Sequence, residues 1–419
     1  MSRRRTLRTA GLVALAAVVG GLGSYVMLIV VARAVTPAEY GAFSTFWSLV
    51  IVLGLGVYQP LEQETSRRIA PTHPEPGRPR LLRTVLAVAA TLTVVVVALL
   101  AAAAPAAQRG GLLDWPLLAA AAVTSVVYAA AFPVRGIVSG RHRAGVYASI
   151  IAADGLLRIV IPLVLAAVGA AMPAYAFAVP VVLLLAMAPA IGELLRVRHE
   201  ALPEARYGAF AGSALRIIVA AFAVQAILSG PVLLTGFAAP EDPALAGRVL
   251  AVLTLSRIPV VIYQSLQVMY LPRVARAHAH GGHPGRVVAL VAGAAAAVGV
   301  VMVLAFWLLG DWIVGVLFGA GIVLGGDVEL VLAGGSALFL VALVLSDACV
   351  ATGRHTALVA VWLPALAVGA AAFLLPIPEP AIRVSVPLLA ASAVAAAAFA
   401  ALLWRSRAAP GSRSAAPAA

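Results

Sequence analysis

Two arginines lie within long apolar stretches, where a buried charge is costly unless it has a function or a partner. Arg257 lies near the middle of the stretch 248–270, and Pro259 follows it and would bend a helix there. The forked guanidinium group suits the oxygens of a phosphate or diphosphate. Arg257 is therefore predicted to bind an anionic substrate. The alternative is a structural role, in which Arg257 caps backbone carbonyls that Pro259 leaves without a donor.

Arg158 lies in another apolar stretch and differs from Arg257 in having an acidic residue nearby. Asp154 precedes it by four residues, so the two side chains would share one helix face. The favoured interpretation is a self-neutralising pair that holds the helix among its neighbours. In the alternative, a phosphate or a proton opens the pair, which makes Arg158 a substrate-binding candidate and Asp154 a gating or ion-coupling candidate. Because Arg158 and Arg257 lie in different halves of the chain, they could clamp one anion from two sides.

Polar residues elsewhere in the apolar stretches are weaker candidates. Glu64 and Arg68 have helical i,i+4 spacing at the end of one stretch, which is typical of a solvated helix end with local ion pairs. The alternative there is a gate or a protonatable carboxylate. For Gln225 and Asp347, an interhelical hydrogen bond is the favoured role. The candidates are Gln59 and Gln225 for substrate binding, and Glu62, Glu64 and Asp347 for gating or ion coupling.

The composition of the chain defines the environment of these residues. Of 419 residues, 63% are hydrophobic and 11% are charged, and the mean hydropathy is +1.05. In a soluble protein, about a quarter of the residues are charged. The chain is therefore predicted to be an all-α polytopic membrane protein. Soluble enzymes, nucleic-acid-binding proteins and disordered proteins are excluded.

The helical spans follow from the length of the apolar stretches, because a bilayer core of roughly 30 Å needs about 20 apolar residues. Segment 311–327 is apolar but short and glycine-rich, and it is predicted to be an interfacial or re-entrant piece. Twelve stretches are long enough to span: 10–32, 42–61, 84–106, 115–138, 148–168, 175–195, 217–237, 248–270, 287–309, 328–351, 356–376 and 384–404.

The arginines set the expected orientation. The 29 basic residues are all arginine, and most lie in the termini and in alternate loops; Arg33, Arg109, Arg248 and Arg383 lie on the opposite side. Because arginine-rich loops stay in the cytoplasm, both termini are predicted to be cytoplasmic, in a bacterial cytoplasmic membrane. The net charge of +13 then reflects topology and contact with anionic lipids rather than nucleic acid.

Two weak internal repeats have nearly the same spacing. The sequence Ser-Gly-Arg-His at 139–142 matches Thr-Gly-Arg-His at 352–355, and the Tyr-Gln pair at 58–59 matches the pair at 263–264. The common spacing favours a duplicated six-helix unit. The predicted division is an N-terminal six-helix bundle over 1–195, a cytoplasmic amphipathic linker over 196–216, and a C-terminal six-helix bundle with a short tail over 217–419.

Several short motifs together resemble one family. They lie at 32–43, 63–67, 132–136, 153–158 and 255–259, and the first reads Ala-Arg-Ala-Val-Thr-Pro-Ala-Glu-Tyr-Gly-Ala-Phe. These motifs resemble those of polysaccharide-unit flippases, in the superfamily that also holds multidrug/toxin extrusion transporters and the lipid II flippase. The resemblance implies twelve transmembrane helices in two pseudo-symmetric bundles around a central cavity. It also implies alternating-access export of a lipid-linked saccharide.

Three functions compete on this basis. The resemblance and Arg257 favour flipping of a polyprenyl-diphosphate-linked saccharide to the outer leaflet, for cell-surface polysaccharide biosynthesis. Its partners would be that saccharide, membrane lipids and envelope glycosyltransferases or a polymerase, with the flippase itself a monomer. The second function is a cation- or drug-exporting antiporter of the same fold, whose cavity would need acidic residues. The third and least favoured is a membrane glycosyl polymerase or ligase, which would need a large outer loop.

Enzymatic activity, a cofactor and a metal are not expected. The glycine-rich residues 319–326 lack the Lys-Ser/Thr of a phosphate-binding loop, so transport would use an ion or substrate gradient. His278, His280 and His283 are close in sequence, but they lie in a predicted loop that would not fix metal-ligand geometry. The single cysteine, Cys349, excludes an internal disulfide.

Overall fold

The computed structural model describes residues 3–70, 80–109, 113–197, 206–279, 285–354 and 356–405, and the regular structure in these ranges is helical. Ten helices are long and apolar enough to cross a membrane, and a bent pair of helices is an eleventh candidate. The first helix contains the shorter apolar segment Val18–Ala34, which brings the number of candidates to twelve. The predicted all-α membrane fold is confirmed.

These twelve segments are numbered in chain order. They are α1 (Arg3–Ala34), α2 (Pro37–Ile69), α3 (Arg80–Arg109), α4 (Trp115–Gly140), α5 (Ala144–Ala167), α6 (Met172–Leu195), α7 (Tyr207–Leu233), α8 (Leu245–Ser256 and Ile258–Ala279), α9 (Gly285–Phe318), α10 (Gly326–Ala351), α11 (Thr356–Phe373) and α12 (Pro380–Arg405). The loops after α1, α3, α5, α7, α9 and α11 form the arginine-poor side, and the opposite ends form the arginine-rich side.

Helix α2 is longer than its apolar stretch at both ends. At its start, the Glu39 amide donates to the Thr36 hydroxyl, the Thr36 amide donates to the Glu39 carboxylate, and Pro37 occupies the first turn. In its middle, Val52–Tyr58 forms a π-helical segment, a geometry that is frequent at functional sites. The polar residues that follow this segment continue the helix, so the candidates at its end have fixed directions.

Helices α1 and α5 pack through glycines. A Cβ atom at Gly23 would collide with the backbone of Gly155, and a Cβ atom at Gly155 would lie 2.7 Å from the Gly20 Cα. Small residues let helix backbones approach closely in a membrane, where apolar burial gives little driving force. This contact fixes the face of α5 that carries Asp154 and Arg158.

The last four helices use the same kind of contact and add aromatic packing. A Cβ atom at Gly299 of α9 would lie 2.7 Å from the Ala337 side chain of α10. The Trp362 ring of α11 lies between those of Phe339 and Phe399, with centroid separations of 5.5 Å. These contacts hold α10, which carries Asp347, in the centre of its group of helices.

Helices α4 and α10 end in matching turns, at the positions of the tetrapeptide repeat. The Arg143 amide donates to the Val138 carbonyl at 3.1 Å, and the Arg354 amide donates to the Cys349 carbonyl at 2.9 Å. In each turn one residue has a positive φ, 55° at His142 and 79° at Gly353. These matching ends support the predicted duplication, and the bundle boundaries stay a prediction.

The region between α6 and α7 differs from the predicted linker. Residues 207–216 are the first turns of α7, so this part of the predicted surface linker belongs to a membrane helix. Residues 198–205 lie outside the described ranges, as do His280, His283 and the side chain of His278.

Segment 311–327 does not form the re-entrant piece that was one of its two expected structures, and its position at the membrane interface stays a prediction. Residues 311–318 are the last two turns of α9, which is 34 residues long, and α10 begins at Gly326. Asp311 ended the apolar stretch in the sequence, but its side chain is exposed and leaves the helix uninterrupted. The helix ends at Gly319, whose φ of +109° is a conformation that favours glycine.

The arginine-poor ends of the two groups of helices are packed against each other. A Cβ atom at Gly41 of α2 would collide with the Pro243 carbonyl, and one at Gly247 of α8 would lie 2.6 Å from the Tyr40 ring. Arg33, at the end of α1, donates from Nε to the Leu317 carbonyl of α9 at 3.0 Å. The structure is therefore closed between the two groups on this side.

Candidate functional site

Arg257 occupies the bend of α8, where the two segments of this helix meet at 46°. Its guanidinium group donates to the Leu228 carbonyl of α7, while its Nε has no hydrogen-bond partner within the described residues. Tyr25 of α1 is its electrostatic neighbour. Arg257 thus lies where α1, α7 and α8 meet. The carbonyl that it contacts is on another helix, and not one that Pro259 frees.

Arg158 forms a two-pronged ion pair with Asp154. The Nε–Oδ2 distance is 2.8 Å and the Nη2–Oδ1 distance is 3.2 Å. The guanidinium carbon lies 5.3 Å from the centre of the Trp47 ring of α2, and Arg158 is buried. The electrostatic neighbours of Arg158 are Asp154, Tyr128 and Arg135. The contacts support the self-neutralising pair, and they leave the predicted arginine clamp unassembled in this state.

This pair predicts an unusual order of mutant effects. Arg158→Ala should lower the abundance of the protein in the membrane, because Asp154 would keep a mostly buried charge without its partner. The cost of breaking such a pair is on the order of 3 kcal/mol. Asp154→Ala/Arg158→Ala should be closer to the wild type, since both charges are removed. Quantitative blotting of membrane fractions checks this order, and a double variant worse than Arg158→Ala would contradict it.

Glu62 belongs to a buried cluster that links three helices. Its carboxylate lies 3.1 Å from Nε of Arg135 on α4, and the Tyr147 hydroxyl of α5 donates to it at 2.7 Å. Arg135 also lies over the Phe132 ring, 5.1 Å from its centre. Sequence reasoning did not single out Arg135 and missed this pair. The carboxylate of Glu62 in α2 is thus paired with Arg135 and accepts a hydrogen bond from Tyr147.

Glu64 is completely buried, so the expectation of a solvated helix end is wrong for this residue. Arg67 and Arg68 both donate to its carboxylate, at 2.8 and 2.6 Å, and the predicted i,i+4 pair is present. Arg68 also donates to the Ala209 carbonyl of α7 at 3.0 Å and lies over the Phe210 ring. The Glu64 cluster therefore connects α2 with α7 near the arginine-rich side.

Asp347 differs from the other acidic candidates in the type of its partners. The Tyr263 hydroxyl donates to Oδ2 at 2.6 Å, and the Gln267 amide donates to the same oxygen at 2.8 Å. No ion pair to Asp347 is present among the described residues, and its side chain is buried. The carboxylate is thus held by neutral groups alone in this part of the chain.

The repeat spacing explains this difference. Tyr263 and Gln267 of α8 lie 205 residues after Tyr58 and Glu62 of α2. Asp347 of α10 lies 212 residues after Arg135 of α4, close to the spacing of the tetrapeptides. The acid Glu62 of the first half therefore corresponds to the amide Gln267 in the second half, and Asp347 lies one residue before the position that matches Arg135 at the tetrapeptide spacing of 213. Sequence reasoning missed Gln267, although this spacing was the signal that could have found it.

The two glutamine candidates lie at the boundary between α2 and α7. Gln225 of α7 faces the π-helical segment, since a Cβ atom at Gly56 would lie 3.5 Å from its Cβ. Gln59 follows this segment directly. Both residues are partly exposed, and neither amide makes a hydrogen bond within the described residues. Both amides thus lie at the boundary between the two halves without a hydrogen-bond partner among the described residues.

Metal coordination has little support in this part of the chain. Within the described ranges, no group of three or more His, Cys, Asp and Glu side chains is placed to hold a metal ion.

Solved transporter structures share this fold. No protein-family model and no curated protein matches the sequence. An inward-facing MATE family multidrug resistance transporter of the MOP superfamily is 14% identical, with 94% of this chain and 96% of that chain covered and a TM-score of 0.71. An outward-facing structure described in the same terms is also 14% identical, with 95% of each chain covered and a TM-score of 0.56.

A third neighbour is a MOP superfamily transporter from Pyrococcus furiosus. It is 15% identical, with 95% of each chain covered and a TM-score of 0.60, and it is described as having a binding pocket of reversed polarity that suggests a different function. These likenesses show that the chain has the two-lobe, twelve-helix fold of MATE transporters. The neighbours are transporters and not enzymes.

Proposed function

We propose that this protein is an alternating-access antiporter that exports organic cations or drugs across a cytoplasmic membrane, in exchange for protons or other cations. The observation that carries the proposal is Asp347. A buried carboxylate held by Tyr263 and Gln267 can take up and release a cation, because no permanent positive charge neutralises it in the described residues. The fold of the multidrug transporters supports the same function.

The arginine candidates favour this function over the flippase in two respects. Arg158 is neutralised by Asp154, and Arg257 is engaged with the Leu228 carbonyl. A clamp for a diphosphate would need both guanidinium groups to be available. The two groups of helices are closed on the arginine-poor side, and of the two MATE neighbours the inward-facing one has the higher TM-score.

Flipping of a lipid-linked saccharide is the second candidate. Its support is that one donor of Arg257, Nε, is without a hydrogen-bond partner in the described part of the chain, although the same guanidinium group contacts the Leu228 carbonyl. The neighbour with a binding pocket of reversed polarity is described as suggesting a different function, which supports a second candidate for this fold. In this case the partners would include the lipid-linked saccharide and the enzymes that make and polymerise it.

Reconstituted protein separates the two candidates. Proteoliposomes with a pH dye in the lumen are given ethidium, and parallel vesicles carry a fluorescent polyprenyl-diphosphate saccharide in one leaflet. Ethidium movement coupled to proton counterflow is expected, and Asp347→Asn should abolish it. Saccharide flipping without ethidium movement would establish the second candidate instead, and movement of neither substrate would contradict both.

A further inference from the structure

Glu329, near the start of α10, is a buried carboxyl group that the proposed transport cycle does not use. Its side chain is completely buried, and neither carboxyl oxygen accepts a hydrogen bond from a group within the described residues. An ionised carboxylate in such a place would lack both solvent and donors. The surroundings therefore require either that Glu329 carries a proton or that a positive charge lies beside it.

The neighbouring helix α9 leaves a space for this group and supplies a second carboxyl group. A Cβ atom at Gly310 would collide with Oε2 of Glu329, so the absence of a side chain at Gly310 gives room for the carboxyl group. Asp311, the next residue of α9, is an electrostatic neighbour of Glu329, and its own side chain is exposed. One member of this pair is thus buried and the other is exposed.

No described basic side chain on this side neutralises Glu329. Arg33 donates to carbonyls at the end of α9, Arg248 of α8 pairs with Asp242, and Arg383 of α12 donates to the Phe373 carbonyl. From α9, the facing groups are Asp311 and Phe306; Asp327, on α10 itself, is exposed. The charge that acts on Glu329 is therefore negative, which favours a bound proton.

We propose that Glu329 and Asp311 form a proton-binding site at the arginine-poor end of α9 and α10. In the loaded form the carboxylic acid of Glu329 donates to the carboxylate of Asp311. On release, the proton passes through the exposed Asp311 to water, and both groups are then carboxylates. Two carboxyl groups provide too few oxygen ligands for calcium, which takes six or more. A proton shared between the two carboxyl groups needs no further ligand.

This site lies far from Asp347 on the same helix. Glu329 and Asp347 are 18 residues apart, which is about 27 Å along α10 at 1.5 Å per residue. The two carboxyl groups thus lie near opposite ends of α10. The proton-binding site does not rest on the proposed antiport, because proton binding can be measured without any substrate.

Infrared difference spectroscopy of the purified full chain in vesicles tests the site directly. The wild type should show protonated-carboxyl absorption that disappears as the pH rises. The isosteric Glu329→Gln should remove the component that comes from Glu329 and leave any component from Asp347. Asp311→Asn should weaken proton binding by at least tenfold, since the negative neighbour is lost. Asp327→Asn, an exposed acid two residues before Glu329, is the matched control and should leave the absorption and its titration unchanged.

Two outcomes would overturn the proposal. One is protonated-carboxyl absorption in Glu329→Gln identical to that of the wild type, and the other is a titration in Asp311→Asn identical to that of the wild type. A site that titrates as expected in a protein that does not transport ethidium would contradict the proposed function and leave the proton site established.

Discussion

Asp347→Asn is expected to reduce cation export by at least about 100-fold, the scale on which removal of a proton-transferring group acts. Asparagine has the size of aspartate and keeps an acceptor oxygen for Tyr263 and Gln267, which both donate to Oδ2 in the wild type. The variant should therefore insert and fold normally. What it loses is the ability to change charge between the two states of the transport cycle.

The measurement compares ethidium export in vesicles with the abundance of the protein in the same vesicles. Asp114→Asn is the matched control, because it makes the same chemical change at an exposed position before α4. It should export like the wild type. Export by Asp347→Asn at the wild-type rate and abundance would rule out Asp347 as the coupling residue.

Hydropathy predicted the membrane helices but not their ends. The stretch 42–61 stopped before the first charged residue, whereas α2 continues to Ile69, where Glu64 pairs with Arg67 and Arg68, and Arg68 also donates to a backbone carbonyl of α7. The same limit explains the error at 311–327, where an exposed Asp311 is compatible with a continuing helix. A sliding average of hydropathy cannot tell which face of a helix a polar residue occupies.

The site was predictable where partners lie one helical turn apart, and less so where they lie on other helices. The pair of Asp154 and Arg158 has i,i+4 spacing and is present. The partners of Asp347 and Glu62 come from other helices, and no local pattern specifies them. The repeat offers partial information, because it aligns Gln267 with Glu62 and so points to an unbalanced acid in the second half.

Arg257→Ala is expected to reduce transport by about 100-fold at near-normal abundance. Arg257 contributes a charged contact between α8 and the Leu228 carbonyl of α7, at the bend where α1 also approaches. Alternating access requires these helices to move with a defined geometry, and alanine removes the contact that ties the bend to α7. Loss of one hydrogen bond from a charged donor costs about 1.5–3 kcal/mol. The upper end of this range corresponds to the expected decrease of about 100-fold in the transport rate.

Arg257→Lys distinguishes the two candidate functions. If Arg257 serves to hold Leu228, an ammonium group can also donate to that carbonyl, and ethidium export should return to within about threefold of the wild type. If the guanidinium group binds a diphosphate, lysine replaces a two-pronged donor by a point charge and should restore little of the saccharide flipping. Full transport by Arg257→Ala at normal abundance would contradict both roles. A strong loss of abundance in that variant would instead show that the contact with Leu228 is needed for folding, and the bend of α8 would then be a structural element rather than a moving one.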